Sequence, residues 1–337
     1  MEQVFISIIC PVFNEEKYIK HCIETIIHCD YPQDKMEIFF VDGLSTDATR
    51  TIIEKYQAQY NYIHLIDNPH RIVPYALNLA IEQAKGEVIM RIDAHSEYPH
   101  NYFSVLVQKL FQLHADNVGG VCKTLPANDT PTAHAIAAAM SCSFGMGNSS
   151  FRIGAEEEQT VDTVPFGCYR SNIFKRLGNF DTDLIRNQDD EFNGRIIKHG
   201  GKIFLIPSIV IHYHARPTLK KTAQMFYQYG LFKPLVNKKL GSPATLRQFF
   251  PPLFILGIVF GAIGCFLHPL IIYIYFTFLL LYLLLAFYFS FKYSKNISEF
   301  FILIATFTLI HTSYGTGYII GISKLLTHGN FQVKSSR

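Results

Sequence analysis

The chain has 337 residues, a formal net charge of +3 at pH 7 and seven cysteines. The length suits one sizeable catalytic domain with an appendage, or two modest domains. The small net charge gives no support for nucleic-acid binding. The cysteines form no CxxC pair, which argues against zinc and fits reduced thiols in a cytoplasmic domain. The start, Met1 to Val4, lacks the basic segment of a signal peptide, so we expect the N-terminal part to stay on the side where it is synthesised.

The first hundred residues alternate short apolar runs with helical patterns. Strands are expected at 5–11, 37–41, 62–66 and 87–92, and helices at 15–29, 46–56 and 73–84. This order predicts an α/β fold with a doubly wound, mostly parallel sheet. Ligands of such sheets bind at the carboxyl ends of the strands, near the switch in strand order. We therefore expect Asn14, Glu15, Asp42 and Asp93, which follow three of the strands, to share one crevice.

The second half of the chain changes character towards its end. An apolar run at 164–168, helices at 171–177 and 190–199 and a strand at 202–206 precede a basic and aromatic helix at 218–239. That helix is typical of one lying on an anionic membrane surface, with packing onto the catalytic domain as the alternative. Three spans, 249–267, 270–291 and 300–323, contain no Asp, Glu, Lys or Arg and have the length that a bilayer requires.

These patterns predict four regions. They are a catalytic domain over 1–215, a juxtamembrane helical region over 216–248, about three transmembrane helices over 249–325 and a tail over 326–337. With the catalytic domain cytoplasmic, three full spans would put Lys324, Lys334 and Arg337 outside, against the positive-inside rule. Either the tail tolerates this or one span is re-entrant.

The clearest chemical element is Asp93-Ala94-His95. Strand alternation would point Asp93 and His95 the same way, and together they can hold a divalent cation that neutralises a diphosphate leaving group. A strand-end turn with solvated polar groups is the alternative. The chain has neither GxGxxG nor GxxxxGK[ST], so the usual support for a dinucleotide-binding or P-loop enzyme is missing.

Four segments in order resemble the fingerprints of family 2 glycosyltransferases, which have the GT-A fold. They are PVFNEE at 11–16, VDGLSTDAT at 41–49, NPHRIVPYALN at 68–78 and GEVIMRIDAH at 86–95. The resemblance implies that Pro11, Asn14 and Glu15 line the nucleotide pocket, that Asp42 hydrogen-bonds the base, that Asn78 faces the nucleotide, and that Asp93 and His95 lie at the ribose, diphosphate and metal. Gly43 stands where the family often has a second Asp. His95 replaces the second Asp of the DxD motif, which leaves Mg²⁺ open but makes Mn²⁺ the better match.

The segment QDDEFNGR at 188–195 resembles the family's EDxxLxxR motif, with Asp189 on the catalytic Asp and Gln188 in place of Glu. An inverting transfer needs a carboxylate to accept the proton of the acceptor hydroxyl, and backbone N–H groups at a helix start would hold it. A plain N-cap is the alternative, and Asp190 is the second candidate base. Arg216 is a candidate contact of the pyrophosphate, and Arg71 and Arg91 are further candidates for phosphate.

Within the family, Ala94-His95, the acidic segment at 187–195 and the stretch 217–233 most resemble the succinoglycan-type exopolysaccharide glucosyltransferases. That resemblance implies a membrane-anchored, inverting hexosyltransferase at the cytoplasmic face of the inner (plasma) membrane. It would use a nucleotide-diphosphate sugar, a divalent cation and an undecaprenyl-type lipid-linked or glycan acceptor. Two alternatives stay open. One is a processive polysaccharide synthase, although its QxxRW motif is missing because the chain has no Trp. The other is a non-catalytic membrane scaffold with a degenerate sugar-nucleotide fold.

Overall fold

The computed structural model describes residues 3–243 and 245–331, and the chain divides into two compact units. The first comprises Met1–Lys123 and Gly154–Tyr213, and the second comprises Thr124–Ile153 and His214–Arg337. Met1 and Glu2 and the end of the predicted tail, with Lys334 and Arg337, lie outside the described residues. Residues 124–153 belong to the same unit as the C-terminal helices. The division into a catalytic domain over 1–215, a juxtamembrane region, transmembrane helices and a tail stays a prediction.

A mixed sheet forms the centre of the first unit. Its strands are β1 Ile6–Val12, β2 Met36–Asp42, β3 Ile63–Asp67, β4 Val88–Arg91, β5 Ser96–Glu97, β6 Asn117–Leu125, β7 Gln159–Thr160, β8 Cys168–Arg170 and β9 Ile203–His214. They lie in the order β3-β2-β1-β4-β8-β6-β9-β5, and β7 pairs with β9. Every residue of β1 and β2 is buried, which explains their continuous apolar runs.

β1, β2, β3 and β4 pair in parallel. β8 runs antiparallel to both β4 and β6, and β5 and β7 run antiparallel to β9. The predicted doubly wound, mostly parallel sheet is thus a mixed one, with parallel pairing among the first four strands and antiparallel pairing at β5, β7 and β8. Strands that alternate with helices along the chain indicate parallel pairing. This alternation ends at β4, which β5 follows directly.

The helices follow in chain order. They are α1 Ile19–Ile27, α2 Thr49–Gln57, α3 Val73–Ile81, α4 Tyr102–Gln112, α5 Pro131–Ala139, α6 Ser143–Met146, α7 Ser150–Ile153, α8 Asn172–Leu177, α9 Gln188–Lys198, α10 Leu219–Leu240, α11 Phe250–Gly264, α12 Pro269–Tyr293 and α13 Ile297–Leu326. α1 buries Ile19, Cys22, Ile23 and Ile26, the face that its helical spacing predicts.

Three segments of the second unit are long and apolar enough to cross a membrane. They are Leu246–Gly264, Pro269–Tyr293 and Ile297–Leu326, close to the three predicted spans. α12 leaves most of its large apolar side chains exposed, as expected for a helix that faces lipid.

α10 packs along α13 at a very short distance. A Cβ atom on Gly317 would lie 2.2 Å from the carbonyl oxygen of Tyr227, and one on Gly321 would lie 2.4 Å from that of Leu231. Small residues permit such close approach of two helix backbones. α10 also buries Phe226, Leu231 and Phe232, part of the aromatic face predicted to meet a membrane surface. The sequence predicts that this helix meets a membrane surface or the catalytic domain. It does not predict the packing of α10 against α13.

Candidate active site

The loops that follow β1 and β2 are joined by hydrogen bonds. The Asn14 amide donates to Ser45 Oγ (2.9 Å), and the Thr46 amide donates to Asn14 Oδ1 (2.8 Å). The Glu15 amide donates to Thr49 Oγ1 at 2.7 Å. Asn14 adopts a φ of 54°, a left-handed conformation that Asn tolerates better than most residues. The first two motifs therefore form one structural unit at the carboxyl ends of neighbouring strands.

Asp42 lies at the end of β2 with no exposed surface. Its carboxylate accepts hydrogen bonds from the Ser45 amide (3.1 Å) and hydroxyl (2.5 Å), and it lies 3.6 Å from the Arg50 guanidinium. These partners compensate a buried negative charge. The predicted hydrogen bond to a nucleotide base would compete with them.

Pro11 marks the point at which β1 loses its contact with β4. It pairs with Val41 on the β2 side, whereas the pairing of β1 with β4 ends at Ile9 and Arg91. The last bond on that side runs from the Ile92 amide to the Ile9 carbonyl. Proline lacks an N–H group and is tolerated where a strand has no partner. A gap thus opens between β1 and β4, where the strand order switches.

Asp93 and His95 lie in the turn between β4 and β5. Strand alternation therefore does not orient them, and that part of the sequence argument is wrong. Asp93 is 8% exposed, and its amide donates to the Tyr98 hydroxyl at 2.7 Å. His95 Nδ1 lies 3.4 Å from Glu15 Oε1. The turn thus brings a residue of the fourth motif against a residue of the first.

These residues suit a cation that is bound together with a nucleotide. Within the described ranges, no group of three or more His, Cys, Asp and Glu residues is arranged to hold a metal ion. Asp93 and His95 offer one carboxylate and one imidazole, and Mg²⁺ is commonly held by one or two protein groups plus substrate phosphates. An imidazole ligand also suits Mn²⁺. The donor set therefore fits an ion whose shell a diphosphate completes.

Asp189 occupies the second position of α9. The N-cap of the helix is Asn187, with a φ of 61°, and Asp189 Oδ1 accepts a hydrogen bond from the Asp190 amide at 3.0 Å. The plain N-cap alternative therefore does not describe Asp189. Burial raises the pKa of the Asp189 carboxyl, the charge of Asp190 raises it further, and the Arg91 guanidinium lowers it. Such opposing influences on one carboxyl are common at functional sites.

Two further residues of the same motif hold α9 in place. Phe192 has no exposed surface, and its ring stacks on Phe174 with centroids 5.0 Å apart. Arg195 pairs with Glu191 at 2.6 Å and donates to the Leu177 carbonyl at 2.7 Å. These contacts tie α9 to α8 and thereby fix the position of Asp189.

Asn78 and Arg216 differ in their hydrogen bonds. The Asn78 amide donates to the Phe180 carbonyl (2.8 Å), and its oxygen accepts from the Phe180 amide (3.0 Å). Asn78 thus anchors the loop before α9. The sequence predicts only that Asn78 faces the nucleotide. Arg216 belongs to the second unit, between β9 and α10, and its buried Nε has no hydrogen-bond partner among the described residues.

The fold and the motifs agree with known proteins. The chain is similar in structure to the mannosyltransferase PcManGT from Pyrobaculum calidifontis, solved with GDP-Man and Mn²⁺. The TM-score is 0.63 and the identity 18%, over 97% of this chain and 88% of that one. The likeness confirms the predicted GT-A fold.

The sequence comparisons give the family. Residues 7–178, just over half of the chain, match the model described as glycosyl transferase family 2. The chain is 33% identical to the dolichyl N-acetyl-alpha-D-glucosaminyl phosphate 3-beta-D-2,3-diacetamido-2,3-dideoxy-beta-D-glucuronosyltransferase of Methanococcus voltae, over 80% of this chain and 84% of the relative. It is 29% identical to the succinoglycan biosynthesis protein ExoA of Rhizobium meliloti (strain 1021), over 76% and 77%. The chain belongs to glycosyl transferase family 2.

Family membership confirms the predicted enzyme class, a glycosyltransferase. The three apolar helices at the C-terminal end give this enzyme a membrane anchor. Arg91, which the sequence predicts only as a phosphate contact, lies 3.4 Å from Asp93.

Proposed function

We propose that the protein is an inverting transferase that moves a sugar from a nucleotide-diphosphate sugar to a lipid-linked or glycan acceptor. The observation that carries the proposal is the meeting of the first, second and fourth motifs at the ends of β1, β2 and β4. The Asn14 and Glu15 amides donate to the hydroxyls of Ser45 and Thr49, and His95 Nδ1 lies 3.4 Å from Glu15 Oε1. Asp93, after β4, and Asp189, at the start of α9, are the two carboxylates that we assign. A transferase needs one acidic group for the donor diphosphate and its metal and another for the acceptor hydroxyl.

The donor side is assigned to the loops after β1, β2 and β4. Pro11, Asn14, Glu15 and Asp42 would shape the nucleotide pocket, which their mutual hydrogen bonds support. Asp93 and His95 would hold the divalent cation, Mn²⁺ or Mg²⁺. When bound, this ion neutralises charge on the leaving diphosphate.

Two assigned residues extend the donor side. Asn78 would support the pocket through its hold on Phe180. Arg216 stays the predicted contact of the pyrophosphate.

The acceptor side is assigned to Asp189. Its carboxylate would accept the proton of the acceptor hydroxyl while that oxygen bonds to the anomeric carbon and the bond to the diphosphate oxygen breaks. Attack from the face opposite the leaving group inverts the anomeric configuration. Asp190, in the same helical turn, is the second candidate for this role.

The relatives support a role at a membrane. The names of two of them specify a dolichyl-linked sugar phosphate and the biosynthesis of succinoglycan. We therefore assign an undecaprenyl-type or related lipid-linked acceptor, or the glycan that it carries. The reaction would take place at the cytoplasmic face of the plasma membrane, in the synthesis of an exopolysaccharide or other cell-surface polysaccharide.

The test compares Asp189→Asn with Asp190→Asn in the full chain. Binding of UDP and GDP is measured by calorimetry with Mn²⁺ and again with EDTA. Transfer is measured with radiolabelled UDP- and GDP-sugars and membranes that contain lipid-linked acceptors. Asp189→Asn should bind nucleotide as the unmodified chain does but transfer sugar about 10²- to 10⁴-fold more slowly, and Asp190→Asn should keep most of the activity.

Three outcomes would contradict the assignment. Loss of nucleotide binding in Asp189→Asn would make Asp189 a folding or donor residue. Normal transfer by that variant would remove it from the chemistry. No transfer by the unmodified chain with any donor would favour the scaffold alternative.

A further inference from the structure

α10 has the charge pattern of a helix that lies along a membrane surface. Lysines flank it at both ends, and its middle contains two Gln residues and one further Lys. Of the four flanking lysines, Lys220, Lys221 and Lys238 are exposed and Lys239 is half-buried. Within the described ranges, α10 is not among the segments that are long and apolar enough to cross a membrane. Such a basic, amphipathic helix lies in the plane of the interface.

The C-terminal half of α13 runs beside α10 in the same direction. Gly317 faces the backbone carbonyl of Tyr227. Gly321, about one turn further along α13, faces the carbonyl of Leu231, about one turn further along α10. The glycines let the two backbones approach closely over these turns. Because the two helices advance together, a position of α10 in the plane of the membrane keeps this half of α13 in the same plane.

α11 begins beside this same half of α13. Gly315 faces the carbonyl of Pro251, and the Tyr318 ring lies 6.0 Å from the Phe249 ring. α11 then runs away to the turn at 265–268, and α12 returns to the beginning of α13. The first and the last residues of α13 therefore lie at the face where α11 enters the bilayer. A helix that crossed the bilayer would end at the opposite face.

The distribution of charge agrees with this arrangement. The second unit contains thirteen Lys and Arg residues, whereas its acidic residues are Asp129 and Glu299 alone. The stretch 248–291, which holds α11, the turn and most of α12, contains none of the thirteen. If α11 and α12 are the two crossings, every basic residue of the unit lies at one face, as the positive-inside rule prefers. This removes the conflict that three full spans create for the C-terminal tail.

We propose that α10 and the C-terminal half of α13, residues 311–326, form an interfacial helix pair that binds anionic phospholipid, and that only α11 and α12 cross the membrane. The lysines of α10 meet the lipid phosphates. Ile322 and Leu326 of α13, which are 42% and 78% exposed, contact the acyl chains. A basic surface with so few acidic residues is complementary to anionic headgroups. The inference does not depend on the assignment of the catalytic residues.

Cysteine labelling tests the topology in the full chain. Cys29 and Cys265, the two cysteines that are not buried, are first replaced by Ser, and this background should stay unlabelled. Single cysteines are then placed at three exposed positions, Ser242 before α11, Leu267 in the turn and Thr327 after α13. In sealed vesicles of one orientation, a membrane-impermeant maleimide should label Ser242→Cys and Thr327→Cys from the same side, and Leu267→Cys from the other.

The opposite labelling pattern would overturn the proposal. If Thr327→Cys reacts from the same side as Leu267→Cys, α13 crosses the membrane and cannot lie in the plane of its surface with α10. Thermal unfolding of each variant in detergent confirms that the substitutions leave the fold intact.

The lipid is tested by thermal unfolding of the full chain in neutral detergent with added phosphatidylglycerol or phosphatidylcholine. Phosphatidylglycerol should raise the midpoint by about 2–4 °C more than phosphatidylcholine, because a ligand of the folded state stabilises it. About 0.5 M salt should remove most of this difference, because it screens exposed charges. The triple variant Lys220→Gln, Lys221→Gln, Lys238→Gln should lose at least about half of it.

A matched control removes the same charge from the first unit. Lys55, Lys175 and Lys198 are exposed lysines of that unit, and their replacement by Gln should leave the whole lipid effect in place. Equal midpoints of the unmodified chain with the two lipids would overturn the lipid-binding surface. An equal loss in the two triple variants would overturn it as well, even where the labelling shows two crossings.

Discussion

At the scale of single residues, left-handed backbone conformations occur in the loops that carry or adjoin the candidate site residues. Asn14, Leu44 and Arg71 have φ values of 54°, 61° and 58° in the loops that follow β1, β2 and β3, and Asn187 has 61° at the start of α9. Non-glycine residues in this region cost free energy and persist where the surroundings impose the conformation. Leu44 is the least expected, because its side chain cannot stabilise the conformation as that of Asn does.

Leu44 offers a direct test of this strain. At most positions Gly is less stable than Ala by about 0.5–1 kcal/mol. At position 44 we expect the reverse: Leu44→Gly should be about 1 kcal/mol more stable than Leu44→Ala, because both lose the side chain and only Gly relieves the left-handed backbone. Thermal unfolding in detergent measures the difference. Equal stability of the two variants would mean that the loop relaxes to another conformation when the leucine side chain is removed.

At the scale of elements, the sequence predicts those strands and helices whose pattern lies within a short stretch of chain. The strands and helices up to β4 were predicted in the right order because hydrophobic periodicity and polar strand ends repeat along the chain. β5 and β7 have two residues each and β8 has three, too few to carry a period. The candidate site residues also lie in short motifs, so they could be proposed for the same local reason. The bonds between Asn78 and Phe180 join residues 102 positions apart, and no local pattern contains them.

The contact between α10 and α13 can be tested by a Gly317→Ala substitution, which would place a methyl group 2.2 Å from the Tyr227 carbonyl oxygen. Overpacking of this kind costs about 1–3 kcal/mol. Gly257→Ala in α11 is the matched control, because its methyl would meet only the Phe278 ring at 3.3 Å. Both changes improve helix propensity by about 1 kcal/mol, so their difference in unfolding midpoint isolates the packing. Equal midpoints would show that α10 and α13 separate easily.

At the scale of the whole molecule, residues 124–153 join the membrane helices although they lie within the catalytic sequence. The Phe144 carbonyl is 2.9 Å from His311 Nε2 of α13, and the Phe144 ring packs against Phe289 of α12 and Phe307 of α13. The C-terminal helices are therefore more than an anchor. They complete the hydrophobic core of a unit to which the middle of the chain contributes.

This organisation predicts how truncation acts. A chain that ends at Lys239 keeps α5, α6 and most of α10 but loses α13, so it should expose apolar surface and aggregate. A chain that joins Lys123 to Gly154 through a flexible Gly-Ser linker and ends at Tyr213 keeps only the first unit. That shorter chain should fold and bind UDP with Mn²⁺. Size-exclusion chromatography and calorimetry distinguish the two. A monomeric, folded chain ending at Lys239 would show that the unit does not require its membrane helices.

The same arrangement has a consequence for synthesis on the ribosome. The apolar segment around Phe144 emerges long before its partners in α13, which begins at Ile297. At about 5–20 residues per second, the wait is on the order of ten seconds or more. During this interval the nascent chain carries an apolar segment that only later residues can cover. The core of the second unit therefore cannot be complete until the last helix has been synthesised.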